Sequence, residues 1–144
     1  MPLRTVYNQW TQFTVLPRFM KGLKEVQQVN DKRLSWKGEV GLKSMEGEVE
    51  IYDQVPDSRI AWRSVTGTKT EGVLFFESVP DEGTKVTLRF SYEPTGLIEK
   101  TVDALGLVEE RITADLQCFK EKLEDIKHET GEWRGEIHDG VVTR

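Results

Sequence analysis

The sequence is poor in the residues on which most catalytic, metal-binding and disulfide-stabilised proteins depend. Its single cysteine, Cys118, excludes an intramolecular disulfide and a cysteine zinc cluster. Its two histidines, His128 and His138, follow the strand-forming part of the chain and lack the spacing of zinc ligands. No Ser–His–Asp set, glycine-rich phosphate loop or Walker motif is present. Nucleophilic, metal and nucleotide chemistry are therefore disfavoured, and we expect no metal and no cofactor.

Long apolar runs and an excess of positive charge are also absent. No stretch approaches the roughly 20 apolar residues that a membrane-spanning helix needs, and the opening Met1-Pro2-Leu3-Arg4 lacks the apolar core of a signal peptide. The formal net charge of -5 argues against nucleic acid as a partner, since a nucleic-acid-binding surface clusters Lys and Arg. We therefore expect a cytoplasmic protein with no membrane span, and its 144 residues suffice for one domain with a buried core.

The spacing of apolar residues changes along the chain. Leu3, Val6, Trp10 and Phe13 recur at three- and four-residue intervals, which predicts an opening helix that Pro17 interrupts before a second short helical turn. From about residue 22 to 93 the period becomes two, in runs that cover 33–40, 44–51, 59–64 and 85–92. Such alternation is typical of strands with one buried face, and the turn-forming segments between the runs predict an antiparallel meander. Residues 22–29 alternate less regularly, which predicts a bulge, and residues 72–79 are apolar on both faces.

The last periodic segment is helical. Its apolar stripe runs for about 30 residues and begins after Thr95, the predicted N-cap. The stripe consists of Ile98, Val102, Leu105, Ile112, Leu116, Phe119, Leu123 and Ile126. A stripe of this length needs a sheet to cover it, so short helices, about six antiparallel strands and one long helix predict an α+β, two-layer domain. We assign this domain to residues 1–127 and interpret residues 128–144 as a C-terminal extension.

Three segments of the chain carry a family resemblance. They are Tyr7-Asn8-Gln9-Trp10-Thr11-Gln12-Phe13 with Leu16-Pro17-Arg18-Phe19-Met20, Pro56-Asp57-Ser58-Arg59-Ile60-Ala61-Trp62-Arg63-Ser64, and Tyr92-Glu93-Pro94-Thr95-Gly96-Leu97-Ile98-Glu99-Lys100. In this order they resemble the bacterial polyketide cyclase/dehydrase family of the START-like (SRPBCC) superfamily, and segment 130–137 resembles extensions seen in this group. The resemblance implies a helix-grip (START/Bet v 1-like) fold, in which a curved antiparallel sheet wraps a long C-terminal helix beside two short N-terminal helices.

One departure from the family concerns the first strand. Family members usually begin with a strand that precedes the first helix, and here Met1-Pro2 stands where that strand should already have ended. Either the natural start lies upstream, or the sheet lacks a strand and has an open edge through which a homodimer could form. Segment 136–143 is a further candidate to fill the vacant place.

The alternation and the resemblance together assign a candidate ligand-binding wall. Family members commonly leave space between sheet and helix, and the residues facing it would be Trp36, Val49, Trp62, Phe90 and Tyr92 from the sheet and Ile98, Val102, Leu105 and Ile112 from the helix. A simple filled core is the alternative interpretation for each of them. Candidate catalytic groups are Ser64 and Tyr92, whose hydroxyls share the inward face, and Glu77, which would act as a general acid or base if buried. Arg63 falls on the outer face, which favours a surface role.

Three functions remain open at this point. The first is binding of a small hydrophobic ligand (a lipid, quinone or polyketide-like molecule) in a cavity between sheet and helix. The second is an enzyme resembling the polyketide aromatase/cyclases, which would catalyse aldol cyclisation and dehydration by positioning a flexible substrate. The third is a dimeric stress or regulatory interaction protein. A purely apolar cavity would favour binding, inward polar groups would favour the enzyme, and a filled core with an exposed sheet edge would favour the interaction protein.

Overall fold

The computed structural model describes residues 1–40, 43–81, 83–93 and 102–143. Helix α1 spans Leu3–Trp10, a 3₁₀ helix spans Phe13–Arg18, and helix α2 spans Val102–Ile126. The strands are β1 (Leu23–Gln28), β2 (Arg33–Val40), β3 (Lys43–Val55), β4 (Arg59–Gly67), β5 (Lys69–Val79), β6 (Gly83–Glu93), β7 (Glu136–His138) and β8 (Val141–Thr143). The predicted α+β order of short helices, an antiparallel sheet and a long helix is confirmed.

The first six strands form an antiparallel meander in the order β1-β2-β3-β4-β5-β6. The register of β1 against β2 shifts between Leu23 and Glu25, which confirms the bulge predicted for this irregular strand. The register of β3 against β4 shifts twice, between Glu48 and Val49 and between Ile51 and Asp53, and after the later shift β3 continues to Val55, beyond the predicted run. Bulges increase local twist and curvature, and they help the long strands of this sheet to curl.

One face of the sheet is buried, as the alternation predicts. Leu34, Val49, Ile60, Leu74 and Phe76 are buried, whereas the charged residues that alternate with them are exposed or only partly buried. The outward Phe75 of β5 is partly covered by the guanidinium of Arg89, which lies 5.4 Å from the ring centroid. The apolar character of both faces at 72–79 therefore reflects a cation–π cover outside and core packing inside.

The N-terminal helical segment differs in detail from the prediction. Helix α1 ends at Trp10, so Phe13 belongs to the following 3₁₀ helix and not to the opening helix. Pro17 lies inside that 3₁₀ helix instead of separating two α-helices.

Helix α2 packs against the N-terminal segment through its second half. Phe119 and Leu123 are buried, and the Phe119 ring stacks on Trp10 with centroids 4.4 Å apart and contacts Phe19 at 5.4 Å. The predicted N-cap Thr95 and the stripe residue Ile98 lie outside the described residues. Among the described residues, no helix has the length and apolar character needed to cross a membrane.

The C-terminal extension returns to the domain and covers the polar side of α1. Gln9 accepts a hydrogen bond from the Thr130 amide (2.8 Å) and donates to the Thr130 hydroxyl (2.9 Å). The guanidinium of Arg134 donates to Asn8 Oδ1 and to Asp57 Oδ2, both at 2.6 Å. These contacts explain how Asn8 and Gln9 can be fully buried, because buried polar groups require partners.

The extension also adds a hairpin to the sheet. Strand β7 pairs with β3 at Asp53 and Gln54, beyond the stretch of β3 that pairs with β2, and β8 pairs with β7. Within the described ranges no strand precedes α1, and the end strands of the six-strand order are β1 and β6. Because β7 joins neither end strand, segment 136–143 does not fill the vacant place that the sequence suggested.

Candidate functional site

A cavity of about 240 Å³ lies at the centre of the domain, between the inner face of the sheet, the N-terminal helices and α2. Its wall is apolar almost throughout. The described lining residues are Trp10, Phe13, Leu16, Met20, Gly22, Leu23, Val26, Leu34, Trp36, Met45, Val49, Ile51, Ile60, Trp62, Thr70, Leu74, Leu88, Asp115 and Leu116. The domain therefore leaves space at its core that its own side chains do not fill.

Some of the residues predicted for the wall lie in it and others fall outside the description. The structure places Trp36, Val49 and Trp62 on the cavity wall. Phe90 and Tyr92 lie on β6, where their backbones pair with Gly72 and Thr70, but their side chains lie outside the described residues. The side chains of Val102, Leu105 and Ile112 on α2 likewise lie outside the described residues.

Neither Glu77 nor Ser64 is among the described residues that line the cavity. Glu77 is exposed and pairs across the strands with Lys85, so its position does not support a general acid–base role in the cavity. Ser64 is half-buried opposite Val49 and is not among the described lining residues. Arg63 is exposed on the outer face, where it lies 5.0 Å from the Tyr52 ring, in agreement with its predicted surface role.

Two glycines make room for the tryptophans of the sheet. Gly72 pairs with Trp62 across the strands, and a Cβ atom at Gly72 would lie 2.7 Å from the Trp62 ring. On β2, a Cβ atom at Gly38 would lie 3.2 Å from Trp36 Cζ3. Each indole therefore packs against a position without a side chain, and this packing holds the large apolar surfaces that both residues contribute to the wall.

The sequence reasoning missed the contribution of the N-terminal segment. Trp10, Phe13, Leu16 and Met20 all line the cavity, although their spacing indicated only a buried helix face. Their direction depends on how α1 and the 3₁₀ helix dock on the sheet, and no local pattern encodes that geometry.

Two polar residues of the wall were also missed, and both had a signal in the sequence. Thr70 precedes Gly72, Leu74 and Phe76 on the inward side of β5. Asp115 lies three residues after Ile112 and four before Phe119, so it stands on the apolar stripe of α2. Its carboxylate accepts the Gly22 amide at 3.0 and 3.2 Å and thereby ties α2 to the segment before β1.

Outside the cavity, one buried titratable group is strongly perturbed. Burial raises the pKa of Tyr7 to about 12, opposed by a hydrogen bond from Gln54 Nε2 to its hydroxyl at 2.9 Å. Tyr7 is not among the residues that line the cavity, and its ring packs edge-on against Phe76. In the part of the chain that the structure describes, no group of three or more His, Cys, Asp and Glu side chains is placed to hold a metal ion.

An antiparallel sheet that curls around a long helix and encloses an apolar cavity defines a helix-grip domain. The sequence profile of the family described as polyketide cyclase/dehydrase and lipid transport matches residues 1–121. The chain belongs to this family, which confirms the resemblance seen in the sequence.

Relatives and solved structures agree with this assignment. An uncharacterized 17.2 kDa protein from Streptomyces lincolnensis is 39% identical over 138 residues, which cover 95% of this chain and 92% of the relative. A crystal structure of a Deinococcus radiodurans protein is 28% identical, with a TM-score of 0.67 over 88% of this chain and 91% of that one. A Thermus thermophilus protein, 22% identical, has a TM-score of 0.74 over 87% of this chain and 91% of that one, and this likeness concerns the fold alone. Together these findings confirm the helix-grip fold.

Proposed function

We propose that the protein binds one small, neutral, apolar molecule in the central cavity. The observation that carries this proposal is a cavity of about 240 Å³ whose described wall is apolar apart from Thr70 and Asp115. Because apolar surface in contact with water is unfavourable, such a cavity gains free energy when an apolar ligand replaces its solvent.

The volume of the cavity indicates the size of ligand that its described wall can hold. A dry protein cavity of about 150 Å³ accepts benzene, so the 240 Å³ found here suits a molecule of about two fused rings or a short branched chain.

The chemistry of the wall favours binding over catalysis. Aldol cyclisation and dehydration need positioned acids and bases, yet Glu77 is exposed and Ser64 is not among the described lining residues, while the side chain of the third candidate, Tyr92, lies outside the described residues. Among the described lining residues Asp115 carries the one carboxylate, and its two oxygens accept the Gly22 amide, which gives it a structural role.

Homodimerisation through an open sheet edge, at β1 or β6, stays a prediction. Light scattering on the purified protein would test it.

The proposal is tested by loading the protein and then filling its cavity. The purified protein is incubated with a cell lipid extract and examined by native mass spectrometry, together with Val49→Phe and Val65→Phe variants. Val49 is buried in the cavity wall, whereas Val65 is 41% exposed on the neighbouring strand, so the same substitution is made inside and outside the site.

We expect a retained small molecule on the wild type and on Val65→Phe, and a large loss of it on Val49→Phe. The absence of any adduct on the wild type, or an adduct that Val49→Phe retains in full, would overturn the proposal. Circular dichroism and a urea titration establish that both variants are folded, so that loss of ligand reports on the cavity.

A further inference from the structure

The charges of the chain are unevenly distributed. Its first 24 residues contain four Lys and Arg and no Asp or Glu, whereas the remaining 120 residues contain 16 Lys and Arg against 25 Asp and Glu. Three of the four cations, Arg18, Lys21 and Lys24, fall within seven residues, at the end of the 3₁₀ helix and the start of β1. A compact positive segment in an acidic protein indicates a surface that attracts an anionic partner.

The fold brings a fourth cation to this segment. The Nζ atom of Lys122 on α2 donates a hydrogen bond to the backbone oxygen of Arg18 at 2.6 Å. All four basic residues are exposed. We call Arg18, Lys21, Lys24 and Lys122 the basic rim.

The positive charge of the basic rim is concentrated at two of its members. Lys24 lies 3.9 Å from Glu39 in an ion pair whose side chains are about half exposed, and segment 121–125 of α2 contains three acidic residues besides its lysine. Within the described structure, by contrast, neither Arg18 nor Lys21 takes part in an ion pair. These two cations are therefore the ones most available to an outside partner.

The basic rim borders the cavity. Met20, Gly22 and Leu23 alternate in sequence with its cations, and all three line the cavity. Gly22 and Leu23 are partly exposed, as is Leu116 of α2, which also lines the cavity. Beside the basic rim, the apolar wall therefore reaches the surface of the protein.

Exposed apolar surface next to the cations favours a membrane over a nucleic acid. Ile126 is 38% exposed, and it follows Lys122 by one helical turn on the same side of α2. A bilayer offers anionic headgroups to cations and an apolar phase to side chains such as Ile126. A nucleic acid offers phosphates but no continuous apolar phase for them.

We propose that the basic rim is a docking surface for a membrane that contains anionic phospholipids. This goes beyond the proposed function, because it names a surface and a partner outside the cavity. Each Lys or Arg close to an anionic membrane strengthens binding roughly fivefold, so docking is weak and reversible, and salt screens it. In the docked state the apolar wall that reaches the surface lies next to the lipid phase, which gives an apolar ligand a path that avoids water.

The test is cosedimentation of the purified protein, without added ligand, with two kinds of vesicle. One kind is phosphatidylcholine alone, and the other is an equal mixture of phosphatidylcholine and phosphatidylserine. A rim variant combines Arg18→Gln with Lys21→Gln. The matched control combines Arg63→Gln with Lys85→Gln, which removes two exposed cations from the outer face of the sheet and produces the same net charge. Circular dichroism and a urea titration establish that both variants are folded.

We expect the wild type and the matched control to bind the mixed vesicles and to bind phosphatidylcholine alone much more weakly. The rim variant should lose at least about tenfold in affinity for the mixed vesicles, since it lacks two cations worth roughly fivefold each. Raising the ionic strength should weaken binding of the wild type. Ile126→Ser should lower the affinity for the mixed vesicles as well, although it changes no charge.

Other outcomes would overturn the docking proposal. They are equal binding of the wild type to both kinds of vesicle, equal losses in the rim variant and the control, or binding to a DNA duplex without binding to the mixed vesicles. None of these results bears on the proposed function, because no ligand is present. Conversely, the absence of a retained small molecule from the lipid extract would overturn the proposed function and leave the vesicle result as it stands.

Discussion

Arg134 should be among the most important polar residues for stability, and a second arginine provides the comparison. Its guanidinium donates to Asn8 Oδ1 and Asp57 Oδ2 at 2.6 Å each and lies 5.4 Å from the Tyr7 ring centroid. It therefore joins the C-terminal extension to α1 and to the β3–β4 turn. Arg4 makes the same kind of connection, to Glu132 at 3.5 Å, but with side chains that are 65% and 55% exposed.

The expected costs differ several-fold. Arg134→Met keeps the aliphatic stem and removes both charge-assisted bonds, and it leaves the Asn8 oxygen buried without this donor. Hydrogen bonds to charged groups contribute about 1.5–3 kcal/mol each. The hydrogen bond to Asp57 should contribute less than this, because the Asp57 side chain is 34% exposed and solvent weakens its attraction to Arg134. We therefore expect a total loss of about 3 kcal/mol in the free energy of unfolding. Arg4→Met should cost less than about 0.5 kcal/mol, because exposed ion pairs contribute little.

Urea unfolding followed by circular dichroism measures both values, and comparable m-values would show that the transition midpoints can be compared. A loss below about 1 kcal/mol for Arg134→Met, or equal losses for the two variants, would refute the argument that burial makes this contact strong. Raising the ionic strength should weaken the Arg4 contact and leave the difference between wild type and Arg134→Met nearly intact.

Three further predictions concern the core. The raised pKa of Tyr7, about 12 in the fold against about 10 when unfolded, means that the native state keeps a proton that the unfolded chain loses. The contribution of Tyr7 to stability should therefore be complete below pH 10 and fall by up to about 1.4 kcal/mol per pH unit between pH 10 and 12, and urea titrations should show a steeper fall over this range in the wild type than in Tyr7→Phe. Gly72→Ala should cost about 2–3 kcal/mol, since its Cβ would lie 2.8 Å from the Arg89 backbone oxygen as well as against Trp62; a neutral result in the same titration would contradict this packing. Ile137→Ala, at a fully buried position on β7, should lower the free energy of unfolding by about 3 kcal/mol, whereas an extension that did not belong to the core would tolerate it.

The sequence predicted the strands because one face of each is buried and the other is solvated. Alternation located the runs at 33–40 and 59–64 well, and Pro56-Asp57-Ser58 marked the turn between β3 and β4. It failed where bulges interrupt the period. Residues 52–55 continue β3 after a register shift, and their pattern, with Gln54 buried, no longer alternates with the preceding run.

The wall of the cavity was only partly predictable for a different reason. Inward-facing Trp36, Val49 and Trp62 follow from strand periodicity, and Asp115 could have been noticed as a carboxylate on an apolar stripe. The contribution of Trp10 depends on the docking of α1, which long-range packing decides. The burial of Asn8 depends on an arginine 126 residues away in the chain, and no local pattern contains that information.

The distance along the chain between α1 and its polar partners has a kinetic consequence. The hydrogen-bond partner of Gln9 is Thr130, 121 residues later in the chain. Residues close to α1 in sequence therefore do not supply all the partners that its buried polar side chains need. If α1 docked before the extension folded, its side-chain amide groups would be buried without hydrogen-bond partners. Early docking of the helix would therefore contribute little free energy. Domains whose contacts span most of their length fold slowly, in milliseconds to seconds rather than microseconds. In this protein the closing of the extension over α1 is therefore expected to be a late event in folding, one that locks the helix after the sheet has formed.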